Sequence, residues 1–211
     1  MISPKEFVRS WRASGLVTYE VAAVQMSAIP QVSKSFLIEA GLPCVYLSSH
    51  VNYTALRHLP VLNDTCTKSL SFPVGCAHYR VFCEVKSTLL NDTKDVLGYY
   101  CLDENNNGQV VQVFSDGTGY MQKGFLNSSI PQFAEFLLIL SDYYAWLKRR
   151  YQEEEQFDLI LTSKECEVKS MEVNRKLRDI DPDAFVASKG NSASTWQKYI
   201  SGFESQIAWS P

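Results

Sequence analysis

The sequence predicts an α+β fold: a mainly antiparallel sheet, formed by a strand meander over about residues 78–126, packs against helices, and further helices make up the C-terminal part. Three observations predict it. The segments HYRVFCEVK, LGYYCLD, GQVVQVF and YMQKGFL are rich in Val, Phe and Tyr and are separated by Asp, Asn and Gly, the composition of short strands joined by turns. After them Phe133, Phe136, Leu137, Leu140, Tyr144 and Leu147 recur three and four residues apart, the apolar stripe of a helix that can cover a sheet. Two more stretches with helix-start and helix-stop residues then run to about residue 205.

At the N-terminus Ser3 can cap a short helix, Pro4 suits its first turn and Glu6 completes an S-x-x-E capping box ahead of Phe7, Val8 and Trp11. Gly15 is its expected end. A second helix is expected in SKSFLIEAGLP, with Ser33 or Ser35 near its start, Phe36, Leu37 and Ala40 inward, and Gly41 and Pro43 as stop signals. From Cys44 to Pro73 the text is irregular, broken by Pro60, Asn63, Asp64 and Pro73, and suits a short strand and long surface connections.

Beyond the meander, Ser129 with Gln132 repeats the capping-box pattern, and Lys148, Arg149 and Arg150 complement the dipole at the end of the long helix. Residues 153–156, EEEQ, form a solvated connector, with a short strand over Asp158 to Leu161. Thr162 and Glu165 open a further helix that reaches Asp179, with Met171, Asn174 and Leu177 inward, and Asp181-Pro182 stops it. A last helix from about Ser194 to Phe203 carries Trp196, Tyr199, Ile200 and Phe203 on one face.

A chain of 211 residues suits one domain over 1–211, with a helical C-terminal portion of about 162–205. Hydrophobic residues are 45% and charged residues 20%, too apolar for disorder. Twenty basic against twenty-three acidic side chains give a net charge of −3, which argues against direct nucleic-acid binding and against anionic membrane surfaces. MISPKEFVRSWRASG lacks the apolar core of a signal peptide, and the longest apolar run, Phe133 to Leu147, is interrupted by Glu135, Ser141 and Asp142. A cytoplasmic location is therefore expected. In that compartment the six cysteines (Cys44, Cys66, Cys76, Cys83, Cys101 and Cys166) are expected reduced, and the sequons at Asn52, Asn63, Asn91 and Asn127 carry no glycan.

The sharpest chemical motif is LGYYCLDENNNGQVVQVF, Leu97 to Phe114. Counted as a calcium loop from Asp103, Asn105, Asn107 and Gly108 fall at the third, fifth and sixth positions, but the twelfth is Phe114 and the flanks read as strands. A hairpin turn explains the same residues better, because Asp and Asn bond to their own backbone and Gly108 supplies positive φ. Cys76 and His78 share a face of a strand approach, while His50 and His58 lie in irregular text near Cys44; none has a visible base, oxyanion site or zinc-type spacing. No phosphate-binding loop, nucleophile elbow or zinc-protease helix is present. The expectation is no enzyme, no metal and no cofactor, with a thiol- or metal-dependent hydrolase as the alternative.

FLIEAGLP (Phe36 to Pro43), LGYYCLDENNNGQVV (Leu97 to Val111), FLNSSIPQFAEFL (Phe125 to Leu137), LRDIDPDAF (Leu177 to Phe185) and the late Trp196 follow one another in an order that resembles the SUKH superfamily, and within it the fourth immunity-protein subfamily. The resemblance implies a sheet packed on helices and a non-enzymatic protein-binding module. Such a module binds and neutralises a cognate polymorphic toxin, often a nuclease or nucleic-acid deaminase. An intracellular regulatory or scaffold role, as in fungal relatives, is the alternative within the same fold. The insert from Cys44 to Pro73 and the charged stretch from Arg149 to Asp158 depart from the simplest pattern. With a basic toxin as partner, the expected contacts are acids on loops: Asp92, Asp95, Asp103, Glu104 and Asp116.

Overall fold

The N-terminal capping box forms as written. In a computed structural model that describes residues 1–11, 15–43, 51–65, 76–87, 96–115, 121–153, 164–186, 194, 196–197 and 200, helix α1 spans Pro4–Ser10. The Glu6 amide donates to Ser3 Oγ at 3.3 Å and the Ser3 amide to Glu6 Oε2 at 3.1 Å. The helix stops short of Gly15 because Trp11 turns into an extended conformation and buries its ring against that of Phe7, with centroids 5.7 Å apart and planes inclined by 29°. Strand β1 is Leu16–Val17. Helix α2, Val21–Met26, was not expected: it has six residues and no side-chain cap.

Helix α3 spans Gln31–Glu39 and starts directly after Pro30, with Ser33 in its first turn, near the start as expected. Phe36, Leu37 and Ala40 are buried as expected. Gly41 ends the helix at φ +70°, and a Cβ there would run into the Val17 carbonyl. That close approach lets Leu42–Pro43, strand β2, pair antiparallel with β1.

Within the insert, β3 (Val51–Ala55) is the expected short strand, and helix α4 (Leu62–Thr65) follows it. The insert is more than a surface connection. Leu62 is fully buried, Val61 bridges to Arg80, and the Val81 amide donates to the Pro60 carbonyl at 2.8 Å. The meander is then β4 (Tyr79–Ser87), β5 (Val96–Asp103), β6 (Gln109–Ser115) and β7 (Met121–Asn127), antiparallel throughout, in the order β3-β4-β5-β6-β7. Alternation sends Tyr100 and Leu102 to one face and Tyr99 and Cys101 to the other, and all four are buried. The sheet is therefore covered on both sides, by helices on the Tyr100 face and by Leu62 and its neighbours on the Tyr99 face.

Helix α5, Ile130–Glu153, has 24 residues, about 36 Å. Ser129 Oγ donates to Gln132 Oε1 at 2.6 Å at its start. Its inward stripe holds Phe133, Phe136, Leu137, Leu140 and Leu147, but the third aromatic is Tyr143 at 2% exposure rather than Tyr144 at 36%. Phe133 meets Phe82 and Tyr100 edge-on, at 5.7 and 5.9 Å, the geometry aromatic quadrupoles favour. The helix also absorbs residues 149–153 of the stretch expected to be a connector.

Helix α6, Lys164–Ile180, buries Cys166, Val173 and Leu177; Met171 points outward at 66% exposure, against the expectation. Asp181-Pro182 does end it, in a 3-10 turn over Pro182–Phe185. Of the last expected helix, Trp196 and Ile200 are buried, while Tyr199, Phe203, Thr162 and the strand over Asp158 to Leu161 lie outside the described residues. One buried cluster takes in residues from Phe7 to Ile200. Among the described residues no helix is long and apolar enough to cross a membrane.

Candidate partner-binding surface

The DENNNG stretch is a hairpin turn between β5 and β6. Asn107 takes the left-handed conformation at φ 54°, Gly108 follows at φ +71°, and the Gly108 amide donates back to the Asp103 carbonyl at 2.9 Å. Asp103 is not a surface residue. Its carboxylate has no solvent exposure and accepts from Lys123 Nζ at 2.8 Å, from Asn106 Nδ2 at 2.9 Å and from the Asn105 amide at 3.2 Å, with His78 Nε2 at 3.5 Å. Burial by itself would raise its pKa, but the bonds from Lys123 and Asn106 outweigh that and hold it below the usual carboxylate value. The cation at this loop is thus the chain's own ammonium, and among the described residues no group of three His, Cys, Asp or Glu is placed to hold a metal.

Glu104 is also engaged internally. Its Oε1 accepts the Ala28 amide at 2.7 Å and Arg80 Nε at 3.0 Å, which ties the α2–α3 connection to the hairpin. A Cβ on Gly108 would stand 2.8 Å from Pro30 Cδ, so glycine lets the turn close against the same connection. What this clamp presents to solvent is amide and apolar: Asn105, Asn106 and Asn107 are exposed, and Met26, two residues before Ala28, is 78% exposed.

Asp92, Asp95 and Asp116 lie outside the described residues. Among the described residues, Lys86 opposite Val96 and Ser115 opposite Met121 mark one end of the sheet, and Asp103 opposite Gln109 marks the other. The eight residues of β5 put about 25 Å between these ends.

Cys76 is a free thiol whose burial pushes its pKa up, only partly offset by Lys123. That disfavours the thiolate a nucleophile needs. Nearby, Tyr79 lies under Lys123, whose Nζ is 5.0 Å from the ring centroid.

Two constellations went unread in the sequence. Asp181, 1% exposed, accepts from Asn127 Nδ2 at 3.2 Å, from the Ser128 amide at 2.7 Å and from Ser128 Oγ at 2.9 Å; Trp196 Nε1 donates to the Leu126 carbonyl at 2.9 Å and to Asn127 Oδ1 at 3.2 Å. The sequon asparagine is thereby fully buried and part of the core. Secondly, α5 and α6 leave a groove of about 580 Å³ lined by Ile139, Ser141, Asp142, Tyr143, Ala145, Trp146, Arg149, Lys169, Val173 and Lys176. The spacing of Asp142, Trp146 and Arg149 on one helix face was its only signal.

A family model described as SUKH-4 immunity protein matches residues 2–202. No curated protein and no solved structure matches the chain. The matched span runs from α1 past Ile200 and takes in the hairpin clamp, the Asn127–Asp181–Trp196 hub and both helices of the groove together, and on that match the chain belongs to the SUKH-4 immunity protein family.

Proposed function

We propose that this chain is a non-enzymatic immunity protein, acting as one domain in the cytoplasm, that binds a cognate toxin of the nuclease or nucleic-acid deaminase type and blocks its active site or substrate groove. The family match over residues 2–202 carries the reading. The surface we assign to the toxin is the corner built by the β5–β6 turn and the α2–α3 connection. Support comes from its construction: a buried carboxylate and a half-buried one hold the backbone, so the exposed amides of Asn105 to Asn107 and the Met26 side chain are presented with little ordering left to lose on binding. Met26 supplies the apolar anchor and the amides the polar rim.

Asp103 acts behind that surface by fixing the turn. Glu104 borders it, at 12% side-chain exposure. Asp92, Asp95 and Asp116 are assigned to electrostatic steering of a basic toxin. The test is co-expression with the product of the neighbouring gene: a pull-down should recover a complex and growth should be rescued. Neither complex nor rescue would remove that product as the cognate toxin, and robust turnover by the purified protein alone would remove the non-enzymatic reading.

A further inference from the structure

The groove between α5 and α6 carries a charge opposite to the molecule's own, and we propose that it docks an acidic peptide segment bearing an apolar side chain, supplied by a partner protein. This role is separate from toxin neutralisation at the hairpin corner. The floor is apolar: Ile139 and Trp146 are half-buried, Val173 is buried, and the Trp146 ring lies parallel to that of Tyr143, with centroids 6.2 Å apart at 10°. Its volume, about 580 Å³, is within the range of clefts that enclose a peptide side chain or a small ligand. Ala145 keeps that side of the groove low.

The rim is cationic. Arg149 is exposed on α5, and Lys169 and Lys176 stand on α6. Glu172 holds both lysines, at 3.0 and 2.7 Å, and its pKa is drawn down to about 2 by those two bonds, so it stays ionised and keeps both ammonium groups in place. Each ammonium carries three donors and gives one to Glu172, which leaves donors for incoming carboxylates. Among the described residues, the three cations outnumber Asp142 and Glu172, so this lining is net positive on a chain of net charge −3. The rim cations draw an acidic segment to this groove. Nucleic acid fits less well, because phosphate binding uses a longer run of cations and Asp142 lies in the lining.

The experiment is fluorescence anisotropy at low salt with a short dye-labelled peptide of alternating Asp and Leu. A Lys–Leu peptide and a single-stranded oligothymidylate serve as comparators. Saturable binding of the Asp–Leu peptide is expected, weakened roughly tenfold or more in Arg149→Glu/Lys176→Glu. Both residues are exposed, so the fold is retained, checked by circular dichroism. Trp146→Ala should weaken binding as well, as loss of the apolar floor requires. No binding, equal binding of either comparator, or indifference to the charge reversal overturns the proposal. So does a dimer in sedimentation that Arg149→Glu/Lys176→Glu dissociates, since the occupant would then be a second copy.

Discussion

Asp103 sits without solvent exposure between Lys123, Asn106 and the Asn105 amide. Its pKa is lowered in the fold, so it contributes stability that is fully present above its unfolded value of 3.8 and is lost as pH falls through the lower folded value. Lys123 works in the other direction: burial would lower its pKa, the bonds to Asp103 and Tyr79 raise it, and its contribution is lost only above 10.5. Asp103→Asn should therefore cost about 1–2 kcal/mol at neutral pH, a figure reduced for the partial exposure of Lys123. The difference from the parent should shrink as pH drops below 3.8; urea titrations at pH 7 and pH 3 would check this, and a constant difference would refute it. At Gly41 the constraint is steric, since φ is +70° and the Val17 carbonyl occupies the Cβ position. Gly41→Ala should lower stability by about 2 kcal/mol or more, read as a drop in Tm.

Among the elements, Glu104 supplies a charged tie from the hairpin to the α2–α3 connection through the Ala28 amide, and Arg80 of β4 holds the same carboxylate oxygen. In Glu104→Ala the Ala28 amide should exchange at least about tenfold faster with deuterium. Amides of the β5–β6 ladder should stay protected; if Ala28 also keeps its protection, Glu104 is not the staple. This tie was invisible in the sequence, which showed an acid in a turn but not the amide 76 residues away. The meander, α1 and α5 were legible because each carries its own periodicity and caps. Helix α2 was not, since six residues hold neither a full stripe nor a capping side chain. The same limit explains Tyr143 and Val173: spacings of three and four both fit the stripe, and only packing against the sheet and α5 decides between neighbours. The Asn127–Asp181–Trp196 hub joins motifs that the sequence had placed in order, but what they are for is set by a contact 54 residues apart.

For the molecule as a whole, a sheet buried on both faces leaves its two ends, the outer helix faces and the α5–α6 groove as places to meet a partner. A standard interface covers ~800 Å² per partner, a patch roughly 30 Å across. The ends of the sheet are about 25 Å apart, so a patch of that size centred at the hairpin corner stops short of the opposite end; the corner residues are proposed to contact the toxin, and Asp92, Asp95 and Asp116 to act by long-range steering. The two sets should then fail differently. Met26→Asp with Asn105→Lys removes the proposed anchor and puts a cation in the amide rim at the corner, and it should weaken the toxin complex by about 2–4 kcal/mol, mainly through faster dissociation. Asp92→Lys, Asp95→Lys and Asp116→Lys together should slow association several-fold at low salt, leave dissociation nearly unchanged, and lose their effect as salt is raised. Surface-plasmon kinetics over a salt series would separate these outcomes. If the three lysines accelerate dissociation while the corner variant binds normally, those acids contact the toxin directly and the hairpin corner does not.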